Sequence, residues 1–555
     1  MFLRSTNISI LSIILLGGKE ALSFQVAPFG AATKSSLFRP ISINNNRNPS
    51  PFSSLRHNGA THHRATHSPV IEDVVKDNRG GEGGDSEDGV GAWIPLAAKS
   101  GLFGLGPQRI RVMGVDLVVW HTPFDKKSMK GKGKKAKKEN QVTWTAQIDA
   151  CTHRLAPLSQ GRVNPDSQCI ECPYHGWSFD TDGQVTSIPQ LEKGTTMKTV
   201  QKAGGNVKTF PLHAVDDLLF VFLPTSLHGE MFPQSLLPEE HYNILNKTPD
   251  GEDYPTMFMR DLPYSFDFLV ENFMDPAHIP FAHHKLQSTR DDGINIPMSK
   301  IVSNFTHVEA TFEDVTRGRK RDAYASFQRP SLYHFGEYEG TDEATGEKKR
   351  SPKLPIFCVP VEAGKSRLFL YAPTIKFPLW LLHAGSNRFL NSDVWLHDTE
   401  REVVRRKEAG IASKKVADMD YIYSSQSDFG VSVFRTWWLQ NGFADSPQHT
   451  FRMSTVDELG SHSLSRQDQI DPWENHAKHC SVCRNTLKKM KMGQSVCMFC
   501  AIASVMLGRR MPVLGLVGAG VGLFGTHFLK RFATVIEGNP RQSELADRSA
   551  AALAK

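Results

Sequence analysis

The sequence of 555 residues predicts an α+β protein with an all-β domain, a mixed α/β domain and a C-terminal transmembrane helical hairpin. Short apolar runs separated by turn residues, from Trp93 to Leu223, indicate small β-strands. Strand-like and helix-like runs are then mixed from about 227 to 475, which is typical of an α+β domain. Two long apolar runs follow near the C-terminus. The chain also exceeds the length of one typical domain, so we expect at least two folded units.

The N-terminal residues are predicted to form a leader and a linker. Residues 1–23 are typical of a signal peptide, because Arg4 precedes an apolar stretch too short to span a membrane. Residues 24–76 read as a plastid transit peptide, since no Asp or Glu occurs between Ala21 and Ile71. Together, the predicted signal peptide and transit peptide resemble the two-part leaders of algae with secondary plastids. An ordinary secretory leader with a disordered tail is the alternative. The Gly-rich, acidic residues 77–91 indicate a linker.

The positive charge of the chain is local. The formal net charge is +7, and residues 126–138 alone hold eight lysines. This block lies between two strand-like runs and is interpreted as a loop insertion in the all-β domain; docking of an acidic electron donor is the functional alternative. A nucleic-acid partner is therefore not expected.

Two short motifs in the all-β region carry ligands for a redox centre. They are Cys151-Thr-His153 and Cys172-Pro-Tyr-His175, and eighteen residues separate them. Two thiolates and two imidazoles are the ligands of a Rieske [2Fe–2S] cluster, which transfers single electrons. The same four residue types would also suit tetrahedral zinc. Cys169 lies close enough in sequence to compete with Cys172 as a ligand.

A second motif, running from Asn272 to His283, predicts a mononuclear iron site. Its His278 and His283, with a distant carboxylate, would form the facial triad that holds non-haem Fe(II). Asp275 is placed to accept a hydrogen bond from the ring of a ligating His. His284 competes with His283 for the role of second ligand.

Together the two motifs resemble a Rieske non-haem iron oxygenase. The segments CTHRLAPLSQGRV, CPYHGWSFDTDGQVTSIPQ and RDLPYSFDFLVENFMDPAHIPFAHH are similar to the plastid branch of that family. That branch includes the pheophorbide a, chlorophyllide a and protochlorophyllide a oxygenases and the Rieske protein of the inner-envelope translocon. The resemblance covers roughly residues 92–531. It implies a Rieske domain over 92–226 and a helix-grip-like catalytic domain over 227–475.

The resemblance also implies a role for each site residue. The cluster ligands would be Cys151, His153, Cys172 and His175. His278 and His283 would bind the mononuclear iron, and Asp275 would bridge electrons to it. The third iron ligand in the family is a downstream Asp, and Asp393 is our choice because it opens a helix-like run after a strand-like one. Asp398 and Glu400 are alternatives, and the Gln that often follows this Asp in the family is missing here.

The activity implied by the resemblance is that of a monooxygenase that takes electrons from ferredoxin and uses O2. The subunits would form a homotrimer, in which the cluster of one subunit serves the iron of its neighbour. The implied substrate is a chlorophyll-derived tetrapyrrole, first of all pheophorbide a, whose macrocycle would be opened oxygenolytically. The alternatives are hydroxylation of protochlorophyllide or of a linear catabolite, and a redox-sensing role in plastid protein import.

The C-terminal region predicts a redox pair and a membrane anchor. Cys480 and Cys483, in the segment 476–491, resemble the pair that thioredoxin reduces in this branch; a zinc site shared with Cys497 and Cys500 is the alternative. The apolar runs over 492–531 predict two transmembrane helices, and Gly518 and Gly522 would let them pack closely. A buried hairpin of a soluble domain is the competing interpretation. A polar tail, 532–555, completes the chain. The predicted location is the thylakoid or inner-envelope membrane of a plastid.

Overall fold

A computed structural model describes residues 91–122, 142–224, 257–314, 321–341, 346, 348–371, 378–410, 419, 421–441, 454–460 and 463–538. The predicted leader, all but the last residue of the linker and the Lys-rich insertion lie outside the described residues. So do the residues of the predicted tail beyond 538.

The first part of the described chain consists of antiparallel strands in three small sheets. The strands are β1 (Gly91–Ala98), β2 (Gln108–Val112), β3 (Val115–His121), β4 (Trp144–Ile148), β5 (Arg162–Val163), β6 (Ile170–Glu171), β7 (Ser178–Phe179), β8 (Val185–Ser187), β9 (Thr209–Phe210), β10 (Leu212–Val215) and β11 (Leu218–Pro224). Their orders are β1-β11-β10, β2-β3-β4-β9 and β5-β6-β7-β8. One predicted cluster loop follows β4 of the second sheet, and the other lies between β6 and β7 of the third.

The hairpin between β2 and β3 shows how local sequence sets this pattern. Val112 pairs with Val115, so only Met113 and Gly114 form the turn. Both have positive φ, 50° and 76°. That conformation matches the twist of a two-residue hairpin, and Gly adopts it without a steric penalty. The predicted strand-like run Ile110–Val118 is therefore a hairpin of two strands.

The second part of the chain is built around one seven-stranded antiparallel sheet. Its strands are β12 (Met257–Leu262), β13 (Met298–Ser303), β14 (His307–Asp314), β15 (Arg321–Gln328), β16 (Leu332–Thr341), β17 (Lys348–Glu362) and β18 (Lys365–Tyr371), in the order β12-β18-β17-β16-β15-β14-β13. Because sequential strands pair from β13 to β18, most of the sheet is a meander. The earliest strand, β12, pairs with the last one, β18.

Helices flank this sheet and lead to the C-terminus. The α-helices are α1 (Lys99–Leu102), α2 (Met197–Lys202), α3 (Phe266–Met274), α4 (Ile279–Ala282), α5 (Leu379–Leu390), α6 (Leu396–Glu408), α7 (Phe429–Gln440), α8 (Val456–Leu459), α9 (Arg466–Gln469), α10 (Pro472–Asn475), α11 (Ser481–Leu507) and α12 (Pro512–Glu537). Short 3-10 turns occupy Leu158–Gln160, Pro276–His278, Arg290–Asp292, Gln426–Asp428 and Ala477–His479. Helix α7 packs against β13, β14 and α3.

A buried ion-pair network joins α3 to α7. The Arg435 guanidinium, on α7, donates a 2.6 Å hydrogen bond to Asp267 and a second, shorter one to Glu271, both on α3. The Arg435 side chain is only 2% exposed. Helix α3 ends one residue before Asp275, so this network holds the helix that leads into the predicted iron site.

The two domains share one hydrophobic core. Buried side chains of β1, β2 and β11 belong to the same cluster as those of β12 and β17, whereas the β5–β8 sheet has a separate, smaller core. The β2–β3 turn also contributes backbone hydrogen bonds, because the amides of Met113 and Gly114 donate to the carbonyls of Pro360 and Val361 at 2.9 and 2.8 Å.

Helices α11 and α12 form the predicted C-terminal hairpin. Both helices are long and apolar enough to cross a membrane. In the most apolar 18-residue stretch of each helix, only 11% and 17% is buried. Large apolar side chains such as Phe499, Leu516 and Phe524 are exposed. A buried helix pair of a soluble domain would cover such side chains, so the exposure favours the membrane interpretation. A Cβ on Gly522 would lie 2.6 Å from the carbonyl oxygen of Cys497, which explains why glycine occupies this close crossing.

The predicted fold class is confirmed, with one local difference. A helix that was not predicted, α5, lies between the strand-like run and Asp393, and the following helix begins at Leu396 rather than at Asp393. The face of α5 that is buried includes His383, Ser386 and Asn387. Because these polar residues share the buried face with Leu382 and Leu390, the helical spacing of apolar residues is interrupted in the sequence.

Candidate two-centre redox site

The predicted cluster ligands lie in two neighbouring loops of the first domain. Cys151 opens a tight turn after β4, in which the Leu155 amide donates to the Cys151 carbonyl at 2.7 Å. Cys172 opens the loop between β6 and β7, and the Gly176 amide donates to its carbonyl at 3.1 Å. Gly176 has a φ of +69°, a conformation that glycine adopts without a steric penalty. Each motif thus folds as a small loop that presents one thiol and one imidazole.

The two thiols are buried, and the two imidazole rings lie next to each other. The thiols of Cys151 and Cys172 are buried, whereas His153 is exposed and its ring centroid lies 4.6 Å from that of His175. Burial, together with the neighbouring Cys172, raises the pKa of Cys151 to about 12. Two adjacent buried thiols cannot both ionise without a positive partner, so the donor set fits bound iron. The exposed imidazole gives electrons a short path to the surface.

Two further residues lie near the cluster loops. Trp177 was not predicted as a site residue, and Cys169 was left open as a possible ligand. Trp177 stacks on the His153 ring, with centroids 4.8 Å apart and planes within 4°, and so fixes that ring. Its position two residues after His175 was the only signal in the sequence. The Cys169 thiol contacts the Ser167 carbonyl at 3.3 Å and the Thr186 hydroxyl at 3.5 Å. The Cys172 thiol lies beside the Cys151 thiol, so the geometry favours Cys172 over Cys169 as the ligand.

The structure brings His278, His283 and Asp393 together. His283 Nε2 lies 3.3 Å from His278 Nε2 and 3.2 Å from Asp393 Oδ2. The prolines end the helix as expected: α3 stops at Met274, and a 3-10 turn followed by the short α4 carries the two histidines. Asp393 comes from the turn between α5 and α6, more than a hundred residues later.

The polar contacts of this cluster fit a metal ion. Asp393 Oδ1 is buried and has no hydrogen-bond partner among the described residues, which is costly unless a cation is bound there. Burial lowers the pKa of His283, so its ring is neutral and has a lone pair to offer. When bound, Fe(II) held by two imidazoles and one carboxylate keeps positions open for O2 and substrate.

Surrounding residues hold these side chains in place. The Ser392 hydroxyl lies 2.7 Å from His283 Nδ1, which leaves Nε2 directed at the cluster. Asn272 donates to Asp393 Oδ2 at 3.3 Å. Ser392 was missed at sequence level, and its only signal was its place before Asp393.

Asp275 contacts His278 through its backbone. The Asp275 carbonyl oxygen accepts a short hydrogen bond from His278 Nδ1, whereas the nearest carboxylate oxygen is 3.9 Å from that nitrogen. The carboxylate instead accepts from the Ala277 amide at 2.8 Å. The Asp275 carboxylate therefore orients the turn that carries His278. The hydrogen bond from the His278 ring, which we predicted for this carboxylate, is accepted by the Asp275 backbone carbonyl instead.

The competing ligands lie elsewhere. The ring of His284 accepts from the Arg290 amide at 3.2 Å, and Asp398 accepts from the Ser463 hydroxyl at 2.9 Å. Glu400 is buried against Ser265, whose amide donates to it at 2.9 Å, and against Ser454. Of the three carboxylates considered, only Asp393 joins the histidines.

Glu400 should make the stability of the protein depend on pH. Burial raises its pKa to about 7, and the charge of Asp267 adds to that rise. Because the folded state binds the proton more tightly than the unfolded chain, stability falls as pH rises from about 4.5 to about 7, by up to about 3 kcal/mol. Glu400→Gln should remove this pH dependence, because Gln does not ionise. The thermal unfolding midpoint of the variant minus that of the parent should therefore increase from pH 5 to pH 8. A difference that stays constant over this range would contradict the assignment.

Comparison with known proteins finds one domain match and several chloroplastic relatives. A Rieske [2Fe-2S] domain model matches residues 92–211. Pheophorbide a oxygenase of Oryza sativa subsp. japonica is 28% identical over 442 residues, which cover 74% of this chain and 77% of that protein. The protochlorophyllide-dependent translocon component 52 of Arabidopsis thaliana is 27% identical over 460 residues, covering 73% and 75%. Flavonoid 8-hydroxylase 2 of Ocimum basilicum is 28% identical over 426 residues, covering 72% and 73%.

All three relatives are described as chloroplastic, and their similarity extends well beyond the Rieske domain. The Rieske domain match and the oxygenase relatives support two cofactors, a Rieske cluster and a mononuclear iron. These agree with the two groups of candidate ligands. The Rieske domain match and these similarities together support a plastid Rieske oxygenase.

Proposed function

We propose that this chain is a plastid membrane monooxygenase that uses O2 and electrons from ferredoxin to oxygenate a chlorophyll-derived tetrapyrrole. Oxygenolytic opening of pheophorbide a is the first candidate reaction. The observation that carries the proposal is the convergence of His278, His283 and Asp393. A redox sensor of protein import has no need of a complete iron triad, whereas oxygenation does.

Apolar side chains beside the ligands support a large apolar substrate. Phe281 lies between the two ligand histidines and is 55% exposed; Trp395, two residues after Asp393, is 43% exposed. Exposed aromatic side chains are suited to contact the flat face of a tetrapyrrole. The C-terminal hairpin would hold this surface near the membrane where such pigments dissolve.

The route of the electrons is part of the proposal. The exposed His153 offers a contact point for ferredoxin and for a neighbouring subunit, and Asp275 lies partly exposed beside His278. In a homotrimer, His153 or His175 of one subunit would face Asp275 of the next. We place the protein in the thylakoid or inner-envelope membrane of an alga with secondary plastids.

Two named relatives support the substrate class, and a third defines a control. Pheophorbide a and protochlorophyllide occur in the names of the first two proteins compared, and a flavonoid in that of the third. The test incubates the purified, detergent-solubilised protein with reduced ferredoxin, O2 and each compound separately. Loss of macrocycle absorption with pheophorbide a is the expected result.

The other outcomes separate the alternatives. Conversion of protochlorophyllide with the macrocycle intact would assign the hydroxylase activity instead. Conversion of the flavonoid alone would overturn the tetrapyrrole proposal. Reduction of the cluster without consumption of any compound would favour the redox sensor.

A further inference from the structure

A second group of potential metal ligands lies where the membrane hairpin meets the catalytic domain. His383, His476, Cys480 and Cys483 bring one donor atom each to within 4.8 Å of one another. Cys480 precedes the first residue of α11, and Cys483 lies in its first turn. His383 projects from α5, and His476 follows α10. The two histidines and Cys483 are at most 3% exposed.

The spacing within this group matches a tetrahedral metal. His383 Nδ1 lies 3.3 Å from the Cys480 sulfur and 3.6 Å from the Cys483 sulfur. His476 Nε2 lies 3.4 Å from the Cys483 sulfur. Tetrahedral zinc, with Zn–S of about 2.3 Å and Zn–N of about 2.0–2.1 Å, has S···N edges of about 3.5 Å. The observed separations are thus those of donors around a shared ion.

His476 is oriented for ligation by a contact behind it. Its Nδ1 lies 2.6 Å from the carbonyl oxygen of Met259, so the proton sits on Nδ1 and the Nε2 lone pair is directed at Cys483. A backbone carbonyl behind the ring is the usual way in which proteins fix the tautomer of a metal-binding histidine. The Phe258 ring stacks on the other side, with centroids 4.6 Å apart.

We propose that Cys480, Cys483, His383 and His476 bind a structural zinc ion. Two thiolates and two imidazoles complete the coordination of zinc and leave no open position, which is typical of structural sites. Zinc has no redox chemistry, so it would not divert electrons from the two iron centres. The site predicted from sequence with Cys497 and Cys500 is excluded, because fourteen residues of one helix separate Cys483 from Cys497 by about 21 Å.

The proposed ion would tie the membrane anchor to the iron site. Helix α5 provides His383 and, three residues beyond its last residue, Asp393. Arg260 of β12 holds the end of the same helix, donating to the Asn387 carbonyl at 2.6 Å and to the Asn391 side chain at 2.5 Å. The ion would therefore join α11 to the elements that position Asp393.

Metal analysis of the purified full chain tests the proposal. We expect about one zinc per chain in addition to the iron, and zinc-edge X-ray absorption showing two sulfur and two nitrogen ligands. The double variant Cys480→Ser, Cys483→Ser should lose the zinc and keep the absorption spectrum of the Rieske cluster. The matched control, Cys497→Ser with Cys500→Ser on the same helix, should keep both.

Thiol labelling of the unmodified protein keeps the test independent of variant folding. With zinc bound, Cys480 and Cys483 should resist a maleimide reagent until a chelator is added. A zinc-free protein in which these cysteines form a disulfide that thioredoxin reduces would overturn the proposal and support the regulatory pair. Free, reactive thiols in a zinc-free protein would overturn both. Neither measurement depends on the identity of the substrate.

Discussion

Asp393→Ala is expected to abolish turnover while leaving the Rieske cluster intact. Among the described residues, Asp393 is the carboxylate grouped with His278 and His283, and its loss would leave two imidazoles to hold a dication. Replacing an outer-shell partner of a metal already costs about 10–100-fold, so removing this ligand should lower turnover by more than about 100-fold. Iron per chain should fall from about three to about two, since the cluster retains its two irons.

The control for this experiment is Asp398→Ala. Asp398 lies five residues further along the same segment and contacts Ser463 instead of the histidines. This variant should keep its iron and its turnover. If Asp398→Ala lost the mononuclear iron while Asp393→Ala kept it, the triad assignment would be wrong.

Arg435→Met is expected to destabilise the catalytic domain more than any surface change. The substitution leaves the carboxylates of Asp267 and Glu271 buried without their cation, and breaking a buried pair in this way costs about 3–5 kcal/mol. For a domain of this size that corresponds to a fall in thermal midpoint on the order of 10 °C. Since α3 leads into the histidine turn, the variant should also release mononuclear iron at a lower temperature than the parent does.

A triple variant provides the matched comparison for this ion network. Combining Arg435→Met with Asp267→Asn and Glu271→Gln removes the uncompensated charges. Replacing a whole buried network is often close to neutral, so the triple variant should recover much of the lost midpoint. A triple variant that melts no higher than Arg435→Met would show that packing of the Arg435 side chain, rather than charge, carries the effect.

Ligands that share one loop could be predicted from the sequence. Cys151 and His153 fall within one tight turn, and Cys172 and His175 within another, so their spacing in sequence reflects their spacing in space. The same holds for His278 and His283, which a single proline-containing turn carries. The strands β11 and β18 and both C-terminal helices were also predicted, because their apolar runs are continuous.

Ligands that come from different elements could not be ranked from the sequence. Asp393, Asp398 and Glu400 are equally plausible by residue type, and only the turn after α5 directs Asp393 at the histidines. Helix α5 itself was not predicted, because polar residues interrupt the apolar spacing on its buried face.

The sequence by itself determined the paired Cys and His motifs, the two-histidine motif, the α+β class and the apolar hairpin, because each is visible in residues close together in the chain. Only the tertiary structure places Asp393 beside His283, Cys172 rather than Cys169 beside Cys151, and His383 beside Cys480 and Cys483. The contacts with His383 join residues 97 and 100 positions apart. Their proximity results from the packing of α5 and α11, which the spacing of residues along the chain does not record.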